Sequence, residues 1–262
     1  MVLALLILVL VCAAVHWWEY TTSVQEYTFS QPATIGRHDE LRSVLSEKTP
    51  TAVEIGALPW RPEVAEQTLW TAQTGGLHGV FMDILVTAWL AEEKPRPALV
   101  NQESLADQID LRAGLCDIDA GRAWWWLPGL HNVGVDILPA GGVVGLSWVS
   151  AERQWIGCTH GGPLTLWLVN SRYRRYLPAE REEPIDPWSL TVTLAPWIGR
   201  VQYIEVTVKP GWCMGIPANW GFAIRSDDEA WWWTASQHSV VSWILSGKLQ
   251  EHTESLSSES EE

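Results

Sequence analysis

Between residues 206 and 226 the chain reads Val-Thr-Val-Lys-Pro-Gly-Trp-Cys-Met-Gly-Ile-Pro-Ala-Asn-Trp-Gly-Phe-Ala-Ile-Arg-Ser. This composition leaves little choice but short strands joined by tight turns. Val206 and Val208 alternate with polar neighbours, the period-two pattern of a half-buried strand. Pro210 fixes its own φ and Gly211 can take a positive one, so the chain turns there. Cys213 to Ile216 resumes an extended run, and Pro217 to Asn219 turns the chain again. Phe222, Ala223 and Ile224 suit a third strand.

The same pattern holds from Gly121 onward. Runs at 124–127, 133–138, 143–149, 154–159, 163–170, 190–194 and 201–209 are short and bounded by Gly or Pro. Leu164, Leu166 and Leu168 alternate with Thr165, Trp167 and Val169, and Leu190, Val192 and Leu194 with Thr191 and Thr193. Many short strands with turn signals predict an antiparallel barrel or sandwich from about Trp124 to Trp243. Residues 171–187 read as a charged loop. Upstream, residues 51–56 read as a strand ending at Gly56, and residues 39–47 as a short helix with Leu41, Val44 and Leu45 on one face. Leu77, Val80, Phe81, Ile84, Leu85 and Ala88 follow helical spacing, which predicts an amphipathic helix over 77–91, stopped by Lys94-Pro-Arg-Pro97. Residues 101–110 read as a weaker helix.

Residues 1–15 carry no charge and are almost wholly aliphatic, and Trp17 and Trp18 follow. Together they approach the ~20 residues that span a bilayer, with the indoles suited to its interface. The competing reading is a secretory signal peptide, with Cys12-Ala13-Ala14 as small residues for cleavage but no basic segment before the apolar run. An uncleaved anchor is expected. No Lys or Arg precedes Arg37, so charge gives no orientation.

A formal net charge of −14 argues against nucleic acid as a partner, because neutralising phosphates needs clustered Lys and Arg. Nineteen tryptophans include the triplets Trp124, Trp125, Trp126 and Trp231, Trp232, Trp233. Large rings fill cores. A strand also points alternate residues to opposite faces, so at least one ring per triplet is expected outward as a binding surface. The four cysteines, Cys12, Cys116, Cys158 and Cys213, have no metal-ligand spacing. Buried free thiols are expected, with a Cys158–Cys213 bridge as the alternative.

Pro210, Gly211, Ile216, Pro217, Ala218, Trp220 and Ile224 match a block that reads x-P-G-D-x-x-x-I-P-x-G-W-W-H-x-V. The stretch thereby resembles the last motif of the JmjC-type, cupin-like dioxygenases. Residues 51–60, a strand, Gly56 and then Trp60, resemble the opening strand of that family. The resemblance covers roughly residues 38–245, patchily. It implies a mainly β fold, a double-stranded β-helix (a cupin-like jelly-roll barrel) with flanking N-terminal helices, here behind a transmembrane segment. It also implies an Fe(II) site inside the barrel, held by His-x-Asp and a distal His, with a Lys for 2-oxoglutarate.

At those positions the chain departs from the pattern. After the Gly-rich lead-in 139–150, the His position holds Ser147 or Trp148 and the Asp position Val149 or Ser150. The distal His position holds Phe222, Trp212 replaces the acidic residue, and Pro163 stands where the Lys would. Neither register supplies a ligand, so no metal and no cofactor are expected. His131, His160 and His238 are the candidates for a rebuilt site. The expected organisation is an anchor at 1–18, a stalk at 19–37, a cupin-like domain at 38–248 and a disordered acidic tail at 249–262. The expected role is a non-catalytic, membrane-anchored structural or interaction protein with protein partners. Because anchored cupin-like proteins of this kind occur in large DNA viruses, the resemblance implies a minor virion component meeting capsid proteins. The rival classes are an Fe(II)/2-oxoglutarate hydroxylase with displaced ligands and an aromatic-lined glycan- or peptide-binding module.

Overall fold

Gly and Pro cut the second half of the chain into strands of six to nine residues, and the turns they make decide which sheet each strand joins. The computed structural model describes residues 48–56, 69–74, 80–85, 130–178 and 185–238, with residues 7, 10, 11, 14, 18, 106, 111, 115 and 242. The strands are β1 (Thr51–Glu54), β2 (Leu69–Thr74), β3 (Val80–Leu85), β4 (Leu130–Leu138), β5 (Val143–Trp148) and β6 (Arg153–Gly161). They continue as β7 (Leu164–Asn170), β8 (Tyr203–Val208), β9 (Trp212–Pro217), β10 (Trp220–Arg225) and β11 (Ala230–Gln237).

Two antiparallel sheets form a sandwich, in the order β1-β9-β6-β11-β4 and β5-β10-β7-β8. Gly211, at φ 85°, and Asn219, at φ 65°, supply the left-handed conformations of the turns around β9. These turns do not make hairpins: β8 and β10 lie in the four-stranded sheet and β9 in the five-stranded one. The pairings β4 with β11, β5 with β10, β6 with β9 and β7 with β8 are nested one inside the next. The sheets do not close on each other. Between them lies one apolar core, to which Ile156, Met214, Ile216 and Trp232 contribute from one sheet and Leu166, Leu168, Trp220 and Ile224 from the other.

Tryptophan meets glycine across the strands in three places. Trp233 is the register partner of Gly157, Trp155 of Gly215 and Trp148 of Gly221. A Cβ at Gly215 would lie 2.8 Å from the Trp155 ring and one at Gly221 3.0 Å from that of Trp148, and at Gly157 it would fall inside the Trp233 indole. Each indole therefore rests on bare backbone, in the arrangement called aromatic rescue of glycine. Trp155 and Trp233 are fully buried on the outer face of the five-stranded sheet, where the Trp155 indole N–H donates to Gln237 Oε1 at 3.3 Å. Arg153, also buried, donates to the Thr49 carbonyl at 3.4 Å and lies over the Trp155 ring. Burial pushes its pKa down to about 10 against the opposing pull of Glu152, so it remains a cation at neutral pH.

The strands expected at 51–56, 133–138, 143–149, 154–159, 163–170 and 201–209 are present. Three expectations need correction. Residues 80–85, expected in a helix, form β3, paired antiparallel with β2. Six residues, Val-Phe-Met-Asp-Ile-Leu, satisfy period two as well as helical spacing, and the strand partner supplies the hydrogen bonds. Residues 190–194 form a turn, closed by Leu194 N–H and Ala195 N–H to the Thr191 carbonyl at 3.0 and 2.8 Å. Residues 171–187 are not wholly a loop, since Ser171–Tyr176 is a 3-10 helix capped by the Asn170 side chain. The expected helix at 39–47, the strand at 124–127, the stalk and the acidic tail lie outside the described residues. Among the described residues no helix is long and apolar enough to cross a membrane.

Candidate functional site

The positions where the resemblance implies a metal fall at the junction of β5 and β10. Ser147 and Phe222 are direct register partners there, so their side chains share a face. Phe222 is half-buried and packs on the inter-sheet core, and Ser147 is exposed beside it. Val149 is buried in the same core, with its N–H donating to the Trp220 carbonyl at 2.9 Å, and Ser150 is exposed.

Trp148 does not join them. Simple alternation would put Val144, Leu146 and Trp148 on one face. Between the pairs Ile224–Val144 and Phe222–Ser147 the register shifts, so three steps on β5 oppose two on β10. This bulge reverses the faces beyond it. Leu146 and Trp148 pack in the outer layer of the four-stranded sheet. Pro163 is exposed in the turn before β7, where its carbonyl accepts from the Ser226 hydroxyl at 2.9 Å. Phe222 pairs with Leu168, five residues further along β7, so Pro163 lies roughly 16 Å away along the strand.

A hydroxyl, an aliphatic side chain and a phenyl ring do not make a site for iron, which takes two imidazoles and a carboxylate. The histidines are scattered. His160 is exposed at the end of β6, His131 pairs with Ser236 near the other end of β11, and His238 is buried with Nδ1 3.4 Å from the Ser242 hydroxyl. Among the described residues no group of three His, Cys, Asp or Glu could hold a metal ion.

The second tryptophan triplet is no docking surface. Trp231, Trp232 and Trp233 are 8%, 5% and 0% exposed. Both faces of the five-stranded sheet are covered here, so alternation turns each ring into one buried layer or another. Trp124, Trp125 and Trp126 lie outside the described residues. Cys158 and Cys213 are buried free thiols. Cys213 pairs with Gly157, the neighbour of Cys158, so the two thiols point to opposite faces of the sheet and cannot bridge.

The open surface lies over the four-stranded sheet instead. Its outer layer is built by the 3-10 helix Ser171–Tyr176 and residues 185–201, which pack Leu177, Ile185 and Val201 onto Trp167, Val169 and Ala223. Leu146, Trp148, Leu177 and Ile185 floor a groove of about 500 Å³ rimmed by Arg174 and Arg175. Arginines stack on rings throughout this layer: Arg172 on Tyr173, Arg174 on Trp148, Arg175 on Tyr176 and Arg200 on Trp197, at 4.6–5.1 Å. Stacking on a ring fixes the orientation of each guanidinium. Sequence reading missed this site because it took 171–187 as a plain charged loop; the Arg–Tyr alternation of Ser-Arg-Tyr-Arg-Arg-Tyr was the available signal.

No protein-family model matches this chain, and no curated protein matches it.

Proposed function

We propose that the chain is a membrane-anchored, non-catalytic scaffold built on a double-stranded β-helix, acting as a structural or interaction protein. The nested pairing supports the fold reading: β4–β7 and β8–β11 make one long antiparallel ribbon laid alternately into two sheets, as in a jelly roll. The observation that carries the functional reading is the Ser147–Phe222 pair. At the positions where the resemblance implies iron ligands, a hydroxyl stands opposite a phenyl ring that packs on the core. The anchor reading is supported by Ile7, Leu10, Val11 and Trp18, which are helical in backbone and each more than half exposed. Apolar side chains held in that way call for a lipid or protein cover. A place in a virion, beside capsid proteins, follows only from the resemblance.

Two measurements test the proposal. Purified protein is expected to contain no stoichiometric iron and to turn over no 2-oxoglutarate, and Phe222→His alone should not change this, because among the described residues no group of His and carboxylate side chains could hold the ion with it. Stoichiometric iron with turnover would overturn the non-catalytic reading in favour of displaced ligands. The anchor is tested by alkaline carbonate: the full chain should stay in the membrane pellet and a chain lacking residues 1–18 should not. A mature N-terminus near Val15 would show a cleaved signal peptide instead.

A further inference from the structure

We propose that the open edge of β8 is a self-association surface, on which a second copy of this chain lays its own β8 antiparallel across a two-fold axis. Each sheet of the sandwich has two edge strands, β1 and β4 in one and β5 and β8 in the other. Three of these edges are covered or interrupted. Residues 51–53 of β1 and 133–138 of β4 are buried. β5 carries the bulge, and its Leu146 N–H donates to the Ile185 carbonyl at 2.7 Å. β8 differs. Its residues from Tyr203 to Thr207 are exposed or half-buried, Tyr203 at 53%. Among the described residues, no backbone hydrogen bond reaches Tyr203–Val208 other than those of the ladder with β7.

Edge strands are commonly kept from pairing with one another by Pro, Lys, bulges or short length. β8 has none of these. Its six residues pair with β7 without a register shift, and Lys209 and Pro210 come only after the last pair. Its single charge, Glu205, is engaged on the outer face by its own chain: it accepts from the Trp188 indole N–H at 3.4 Å and pairs with Arg225 at 3.8 Å. The edge therefore presents a straight row of N–H and C=O groups with little to deter another strand.

The side chains decide which strand fits. Ile204 and Val206 point inward, where with Trp212 they are half-buried at the rim of the inter-sheet core, and Tyr203, Glu205 and Thr207 point outward. An added strand must continue both rows at period two, apolar inside and polar outside. β8 itself meets that requirement. A two-fold axis normal to the sheet preserves inner and outer faces, so Ile204 and Val206 of two copies complete one apolar row and cover each other's rim. The two four-stranded sheets then form one of eight strands. A peptide of the same pattern would satisfy the edge alone, whereas a second copy also brings the rim of its own core against this one. The inference needs neither the membrane anchor nor the non-catalytic reading.

The test uses the full chain in mild detergent. Sedimentation velocity over a dilution series should give a monomer–dimer equilibrium. Y203K/T207K, at two exposed positions, sets like charges along both edge strands and should weaken the dimer about tenfold or more, with the circular dichroism spectrum unchanged. Single cysteines then read the pairing itself: Tyr203→Cys, Glu205→Cys and Thr207→Cys, with the exposed Val192→Cys as a control off the strand. Opposed residues at the axis lie about 5 Å apart, and each step away from it separates the two copies of a residue by roughly 7 Å more along the strands. Oxidative crosslinking above that of the parental chain should therefore peak at one or two of the β8 positions and fall away at the remainder and at position 192. A chain monomeric throughout would overturn the proposal, even if an added peptide or protein bound β8. So would a dimer that ignores Y203K/T207K and crosslinks without regard to position, the behaviour expected of association through residues 1–18.

Discussion

A valine at position 157 is expected to cost most or all of the stability of the domain. The site has no room for a side chain: any Cβ would enter the indole of Trp233, which is fully buried and cannot swing into solvent. Gly157→Ala should cost about 1–3 kcal/mol, as overpacking does, and Gly157→Val more. Trp233→Ala, which empties the same layer, should cost about 3–5 kcal/mol. Against a total of roughly 5–15 kcal/mol for a domain, either larger change is severe. Urea unfolding of the full chain in mild detergent, followed by circular dichroism, measures each. The decisive comparison is the cycle with Trp233→Leu. In that background Gly157→Ala should cost at least about 1 kcal/mol less than in the native chain, because the two residues share one space. Additive effects would mean that the indole does not rest on Gly157.

Cys158 and Cys213 are expected to resist alkylation about a thousandfold in the folded protein. Burial pushes the Cys158 thiol up to about 12, partly offset by a backbone contact to His160, and burial pushes Cys213 higher still. At pH 8 the reactive thiolate of Cys158 is then roughly a thousandth as abundant as that of a free cysteine. Iodoacetamide labelling, read peptide by peptide with and without urea, checks this. Labelling of either thiol at the free rate in the native protein would contradict the burial. The sign of the linked stability follows. A thiol whose folded pKa exceeds its unfolded one stabilises fully below about pH 9, and that contribution falls as the pH rises toward 12.

How much of this could be read from sequence depended on whether the signal was local. The strands from β4 to β10 were legible because alternation and the turn residues Pro210, Gly211 and Asn219 act within a few residues of themselves. β11 was not, because Ala-Trp-Trp-Trp lies in a sheet buried on both faces and so shows no polar alternation. β3 was read as a helix because its length is too short to separate the two periods, and its strand character depends on β2. Leu190, Val192 and Leu194 alternate like a strand, yet no sheet edge receives them, and the chain turns instead. At the candidate site, the facing of Ser147 and Phe222 comes from the pairing of β5 with β10, which neither segment carries by itself. The face of Trp148 did not follow, because one bulge in β5 reversed it, and a bulge leaves no mark that periodicity can detect.

The nested pairing also sets a timetable for synthesis. Among the described strands, β1 has only β9 as its partner, and β4 has only β11. At about 5–20 residues per second, Thr51–Glu54 leaves the ribosome roughly ten to thirty seconds before Trp212–Pro217 exists to receive it. The first strands of the five-stranded sheet must therefore wait with unpaired edges while the innermost pair, β7 with β8, forms first. A ribosome-bound chain of this design needs its early strands shielded until β9 and β11 emerge, and truncations that stop short of β11 should yield aggregates rather than smaller folded units.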